Sequence, residues 1–539
     1  MDNIYKHKYF LILILIVPFL ISFSIYKDYG ISIDEESTRY HGLVSLNYII
    51  EFFNFNFESI ENIKRLETYE YREYGVFFEI LSAILENIFE IKSYQEIFYF
   101  RHLYVHTIFL ISIIFFYRII FNLFNSLFLA LSGSAILYTT PRIFAHSFYN
   151  SKDIIFLSMF IISIYFFYKF FRKKSLYNSI YLGLSLALLT SVRSIGFYFL
   201  IILFLFMFAE LLDKKVKPRD AIKLFLYLFI SYFLLLYIFW PFLWESPLKN
   251  FLYSLNSFSD YDWRGQVFYF GKFYEANSLP WHYIPVWVLG TISIPFSFLI
   301  VISILFLLVR FTKRALNIDS LGKRTTFWNS RLELTLLFNL SLVLSPVILI
   351  ILKNSTLYNG WRHLFFILPS LIILCLGLIY YAKIRFKKNK FLIICVNLLL
   401  VIIFLNNSIN LIKLHPYQNV YFNFFLEKEA NKNFDIDYWG LSNKDALKKI
   451  SLKSEGDTKV AVLGLANLEM SRKMLEKNKK NKIIIVGENF KVADYIVSNS
   501  YFVSDPKTTK RYKIPRYFKL QQEIKKGNIV INKIFYNTK

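Results

Sequence analysis

Apolar runs long enough to cross a lipid bilayer recur from one end of this sequence to the other, and no soluble core could absorb so many. A membrane-spanning helix needs about 20 predominantly apolar residues, and in lipid only helices and closed barrels satisfy their own backbone. Eleven runs qualify, with approximate limits Tyr9 to Tyr26, Leu103 to Phe121, Leu123 to Thr140, Ile154 to Phe171, Leu176 to Val192, Gly196 to Leu212, Ala221 to Trp240, Tyr283 to Val309, Leu332 to Leu352, Leu364 to Tyr381 and Phe391 to Leu405. With 55% of the 539 residues hydrophobic and 20% aromatic, the pattern predicts an all-α polytopic membrane bundle of about eleven transmembrane helices. Lys6 and Lys8 precede the first run, and no small-residue cleavage site follows it, so it reads as an uncleaved span.

The formal charge of +25 would suggest nucleic acid in a soluble chain. Here no basic helix with a reading face is present, and no nucleic-acid partner is expected. Lys and Arg collect instead in short loops: Lys6/Lys8, Lys169 to Lys174, Lys214 to Arg219, Arg310 to Arg314 with Lys323-Arg324, and Lys383 to Lys390. With eleven spans all five segments fall on one side, which the positive-inside rule makes cytoplasmic. Cys375 and Cys395 lie inside apolar runs and read as packing residues.

Four pieces are then extracytoplasmic. The first, residues 27–101, carries two amphipathic stretches, His41 to Phe53 and Gly75 to Phe89, expected to lie in the membrane interface. The second is Pro141 to Asp153 and the third Pro241 to His282. The fourth is the tail, residues 410–539. Its apolar runs Lys459 to Leu465, Lys482 to Val486 and Ala493 to Val497 read as strands. Asn528 to Phe535 alternates after the turn Lys526-Gly527, and Ser442 opens a short helix over Lys444 to Ile450. A membrane domain over 1–409 and a small extracytoplasmic α/β domain over 410–539 are therefore predicted.

The ionisable residues near the bundle gather at that same edge: Asp34, Glu35, Arg142, His146, Lys152, Asp153, Arg193, Arg362 and His363. Charges near lipid are costly and face a cavity or one another. Asp34-Glu35 alone reads as a solvated loop start; in this company it reads as a general base for an acceptor hydroxyl. Asp153 reads equally as a helix cap and as a functional acid. Arg142, His146 and Lys152 read either as interfacial anchors or as contacts to an anionic lipid-linked substrate. Arg193 and Arg362-His363 read either as interfacial anchors beside Trp361 or as phosphate contacts, because the planar guanidinium forms bidentate, charge-assisted bonds. His41, His102, His106, His282 and His415 show no metal-ligand spacing and read as structural, and Glu36 as solvent-facing.

The chain resembles the polyprenol-phosphate-sugar-dependent glycosyltransferases of the GT-C membrane type, most closely glycosyltransferase family 39, which includes the protein O-mannosyltransferases and related bacterial enzymes. The lipid A aminoarabinose transferase is a more distant relative. The resemblance rests on Asp34-Glu35, the segment Arg142 to Asp153, Trp240 to Trp244, Leu279 to Tyr283, Gly360 to His363, His415 to Gln418 and Asp437 to Gly440, in this order and each at an extracytoplasmic edge. It implies a GT-C fold and transfer of a sugar, with inversion, from a polyprenyl-phosphate donor to a hydroxyl acceptor on a glycan, lipid or protein. It also implies Asp34 as base, Glu35 assisting, and Asp153 as a second acidic contact. The implied setting is a bacterial inner membrane with the site facing the periplasm or exterior. No cofactor is fixed, and a divalent metal stays open because some GT-C enzymes use one. The tail differs from the luminal domain of the eukaryotic mannosyltransferases, which are thereby no guide to the acceptor. A flippase or transporter of lipid-linked sugars is the other class considered, and a non-catalytic subunit the third. A transporter would place ionisable groups or broken helices at the bilayer midplane.

Overall fold

The computed structural model describes residues 16–55, 63–259, 263, 265–316, 326–464, 467–499 and 513–539. Lys6, Lys8 and the start of the first run at Tyr9, Lys323-Arg324, and the end of the strand expected at Leu465 lie outside the described residues.

The membrane part opens with α1 (Ile16–Ile25). Two helices of the first loop follow, α2 (Glu35–Phe53) and α3 (Phe77–Ile88). Then come α4 (Tyr94–Phe124), α5 (Leu127–Thr139), α6 (Pro141–Tyr149), α7 (Asp153–Arg172), α8 (Leu176–Val192), α9 (Phe197–Leu212) and α10 (Pro218–Phe239). The third piece holds α11 (Pro247–Ser259), the hairpin β1 (Gln266–Tyr269) and β2 (Lys272–Glu275), and α12 (Tyr283–Gly290). The bundle closes with α13 (Ile294–Leu316), α14 (Arg331–Lys353), α15 (Ile367–Arg385) and α16 (Lys390–Leu414).

Among the described residues eight helices are long and apolar enough to span a membrane: α4, α7, α9 with its preceding turn, α10, α13, α14, α15 and α16. The pair α5–α6, bent by 63°, makes a ninth if it is one span, and α1 and α8 are shorter apolar helices. Each of the eleven expected runs thus meets an apolar helix, and the chain is an integral membrane protein. The eighth run needs correction: it breaks after Gly290 into α12 and the true long helix α13. The α5–α6 bend follows from Pro141, which sits at N1 of α6 and cannot continue the hydrogen bonding of α5. The helix that carries Asp153 is the innermost: 78% of the α7 apolar window is buried, against 17% for α10 and α16.

α2 and α3 lie against each other so closely that a Cβ on Gly42 would stand 2.6 Å from the Glu79 carbonyl oxygen. A buried ion network ties this pair to the bundle. Arg101 of α4 bridges Glu79 and Glu86 at 2.5 Å each, Arg39 reaches Glu86 at 2.9 Å, and Ser151 donates to Glu79 at 2.5 Å.

In the tail, α17 (Phe424–Glu427), α18 (Ala430–Asn433) and α19 (Asn443–Lys453) precede β3 (Thr458–Val462), α20 (Leu468–Lys473), α21 (Lys477–Lys480), β4 (Ile483–Ile485), β5 (Tyr495–Ser498), β6 (Phe518–Lys526) and β7 (Ile529–Asn537). The sheet order is β4-β3-β5-β7-β6, with β3 parallel to β4 and β5 and β7 antiparallel to β5 and β6. The expected strands and helix are present; β6 was not anticipated. The tail packs on the first loop and α6 through an aromatic cluster. Tyr438, Trp439 and Leu441 join Tyr29 of the first loop and Phe144, Phe148 and Tyr149 of α6.

Candidate functional site

A cavity of about 540 Å³ opens where the first loop, the start of α7, the α8–α9 corner, α11, α14 and the turn before α15 converge. Its polar end presents Asp34, Lys152, Arg193, Arg362 and His363. Its other wall, built from Phe197, Tyr198 and Ile201 of α9 and Pro346, Leu349 and Ile350 of α14, is apolar. Ile201 and Leu349 are about half exposed, at 47% and 50%, so this wall is open to the bundle's outer surface.

Asp34 occupies the N-cap of α2, yet its carboxylate makes no capping bond. It is 43% exposed in its side chain, faces the cavity, and stands 3.6 Å from the Arg362 guanidinium. The positive end of the helix dipole favours its charge. Asp153 lies at the first turn of α7, buried behind the cavity wall rather than in it. It binds Arg362 at 3.2 Å, pairs closely with Arg193, and is held by Asn150 through side chain (2.8 Å) and backbone (2.9 Å). One buried carboxylate thus aims two arginines. The Arg362 proton is held more firmly than usual: burial opposes its charge, but Asp153 and Asp34 outweigh burial.

Lys152 reaches over the Tyr74 ring at 4.0 Å. Burial pushes its pKa down to about 8, against the opposing pull of Asp34. His363 is driven well below the ordinary range by burial and then by Arg362, so at neutral pH it offers a neutral imidazole and no charge. The polar end therefore carries three cations, Lys152, Arg193 and Arg362, with Asp34 beside them and Asp153 behind; Lys353 and Glu73 line the cavity as well.

Besides Asp153, three expected site residues lie outside the cavity wall. Glu35 turns inward, accepting from the Ser32 amide at 2.6 Å and meeting His102 at 2.8 Å. The Ser32-x-x-Glu35 spacing allows this reach back to a backbone amide, although the N-cap of α2 is Asp34. Arg142 donates to the Tyr421 carbonyl at 3.0 Å and lies over Phe422 and Trp287, at 4.8 and 5.1 Å. His146 meets Asn150 at 3.0 Å and packs on Trp439 and Phe365. All three brace the segments that carry the site. Glu36 is not purely solvent-facing, since Tyr94 donates to it at 2.5 Å.

Conversely, His41 lines the cavity, and so do Tyr71, Glu73 and Tyr74. His41 stacks on Tyr74 with centroids 5.2 Å apart and meets the Tyr69 hydroxyl at 2.7 Å. Burial, aided by Lys152, lowers its pKa to about 2, so His41 stays neutral. The signal was the tyrosine-rich run Tyr69-Glu70-Tyr71-Arg72-Glu73-Tyr74. Among the described residues no three His, Cys, Asp or Glu side chains converge to hold a metal ion. Asp34 and Asp153 turn to guanidinium groups instead.

No protein-family model matches the chain, and no curated protein matches it. Among solved structures it is similar to the archaeal oligosaccharyltransferase AglB from Archaeoglobus fulgidus, in complex with an inhibitory peptide and a dolichol-phosphate. That likeness has 13% identity over 92% of this chain and 70% of the other, at a TM-score of 0.49. It is also similar to ArnT from Cupriavidus metallidurans bound to undecaprenyl phosphate, with 10% identity over 98% of each chain and a TM-score of 0.45.

Proposed function

We propose that the protein is a GT-C type glycosyltransferase that moves a sugar from a polyprenyl-phosphate donor to a hydroxyl acceptor. The observation that carries this is a single cavity joining an outward-open apolar wall to a pole of three cations with a half-exposed carboxylate beside them. A long prenyl chain fits the wall between α9 and α14. The phosphate fits Lys152, Arg193 and Arg362, whose fixed charges stabilise it as it leaves. The acceptor oxygen attacks the anomeric carbon as Asp34 takes its proton. The carbon–oxygen bond to phosphate breaks, and polyprenyl phosphate departs with the electron pair. One displacement inverts the anomeric centre. Arg142, His146 and Glu35 position; they do not touch substrate.

The site sits at helix ends: the start of α2, the start of α7, the end of α8 and the turn before α15. That placement supports an enzyme working at a membrane face over a midplane transporter. The basic ends of α7, α13 and α15 lie at their C-termini, which for α7 is the end away from Asp153. The positive-inside rule then supports an extracytoplasmic site.

The test is to incubate the purified protein with polyprenyl-phosphate sugars and an acceptor-bearing membrane extract, and to follow release of polyprenyl phosphate. Release is expected for at least one donor, and Asp34→Asn should cut its rate by about 10²- to 10⁴-fold, the usual worth of a general base. No release from any donor, including slow hydrolysis, would overturn the reading.

A further inference from the structure

The lipid and the phosphate do not use the whole cavity. Beside the outward-open wall and the cations, the first and third extracytoplasmic pieces contribute Ser37, His41, Tyr71, Glu73, Tyr74 and Ser257, and the turn between α14 and α15 adds Ser355, Thr356 and Tyr358. This wall adjoins the phosphate pole directly, because Tyr74 carries Lys152 on its ring and the charges of Lys152 and Glu73 act on each other. Glu73 is the unusual member. It is 9% exposed, and one carboxylate oxygen accepts from Ser257 at 3.2 Å. The other is buried with no hydrogen-bond partner among the described residues. No guanidinium or ammonium pairs with it there, in contrast to Asp153. A half-satisfied buried carboxylate costs free energy unless something supplies the missing donor. Its position is also fixed from behind: Ser254 donates to the Glu73 carbonyl at 2.8 Å. A Cβ on the nearby Gly75 would stand 2.3 Å from the Ser191 carbonyl oxygen, so the turn is jammed against the end of α8.

We propose that Glu73, backed by Ser257 and flanked by Tyr71 and Tyr74, is the glycosyl-recognising wall of the cleft. It takes a neutral sugar ring that presents hydroxyl groups to the carboxylate and its C–H face to the tyrosines. The inference rests on the polyprenyl-phosphate reading above. In this wall Glu73 keeps a carboxylate oxygen that no donor among the described residues satisfies, so it selects the sugar and not the lipid.

The experiment measures binding to the full-length protein in lipid nanodiscs without acceptor. The probes are undecaprenyl phosphate and the same lipid carrying mannose, glucose, galactose or arabinose, with wild type, Glu73→Gln and Glu73→Ala. At least one glycosylated lipid should bind the wild type about 10- to 100-fold tighter than the bare lipid, the worth of hydrogen bonds to a charged group. Glu73→Ala should erase that increment, and Glu73→Gln, which keeps the shape, should reduce it. Bare undecaprenyl phosphate should bind all three alike, which also shows the variants to be folded. An increment unchanged in both variants, or no increment from any sugar in the wild type, overturns the proposal while leaving the phosphate site standing. Failure of the bare lipid to bind the wild type overturns the function itself.

Discussion

At the scale of single residues the site is a problem in placing charge. Lys152 is the one cation of the three whose charge depends on ordinary pH, because burial sets its pKa at about 8. Below that value the ammonium is present, and above it the charge is lost. Affinity for undecaprenyl phosphate should therefore hold at pH 7 and weaken as pH rises through 8 toward 9. Lys152→Arg, always protonated, should flatten that limb. A pH-independent Kd in the wild type would remove Lys152 from the phosphate site. Asp153 behaves differently, since it is buried and already engaged by Arg193 and Arg362. Asp153→Asn strands two largely buried guanidinium groups, and removing one partner of a buried pair costs about 3–5 kcal/mol. That variant should lose thermal stability in detergent as well as activity, whereas Asp34→Asn, at a half-exposed carboxylate, should lose activity alone. Equal melting temperatures for the two variants would contradict this division of roles.

At the scale of elements, the first loop is held to the bundle by charge as much as by apolar packing. Arg101 lies on a membrane-length helix, while Glu79 and Glu86 come from α3. They stand seven residues apart, two helical turns, and so share a face. Arg101→Met should release α2 and α3 from α4 and cost about 3–5 kcal/mol. The readout is faster proteolysis within residues 27–101 at a temperature where the bundle stays intact. The sequence made α2 and α3 legible through apolar periodicity, but not this network, because periodicity names the face and not the partner across 22 residues. The same limit explains the β1–β2 hairpin. Its turn, Phe270-Gly271, has both residues at positive φ (48° and 71°), but each strand has only four residues. Too short to show alternation, they are fixed by the Tyr269–Phe434 bridge to the tail. The break between α12 and α13 was hidden because both halves are apolar.

At the scale of the whole molecule, the tail bears on the site although none of its described residues lines the cavity. Apolar runs in the tail predicted strands, and a five-stranded sheet is present there. Which part of the tail meets the bundle was written in Asp437-Tyr438-Trp439-Gly440, legible as a motif but not as a buttress, since the contact spans roughly four hundred residues of sequence. In the fold, Asp437 accepts from the Leu441 and Ser442 amides at 3.1 and 3.0 Å and fixes the loop. The Ile33 amide then donates to the Trp439 carbonyl at 3.2 Å, one residue before Asp34. Gly30 lies so near that a Cβ there would stand 2.1 Å from the Leu441 carbonyl oxygen. A backbone atom cannot swing aside as a side chain can, so Gly30→Ala must part the first loop from the tail. Overpacking of this kind costs about 1–3 kcal/mol, which a bundle of this size should survive. The reacting geometry should not survive, since a displacement of about 1 Å can cost about 100-fold in rate. Gly30→Ala should therefore keep its Kd for undecaprenyl phosphate, set by Lys152, Arg193 and Arg362 on other elements, while kcat falls by about that factor. Wild-type turnover in this variant would mean that Asp34 is placed by α2 alone and that the tail serves another purpose.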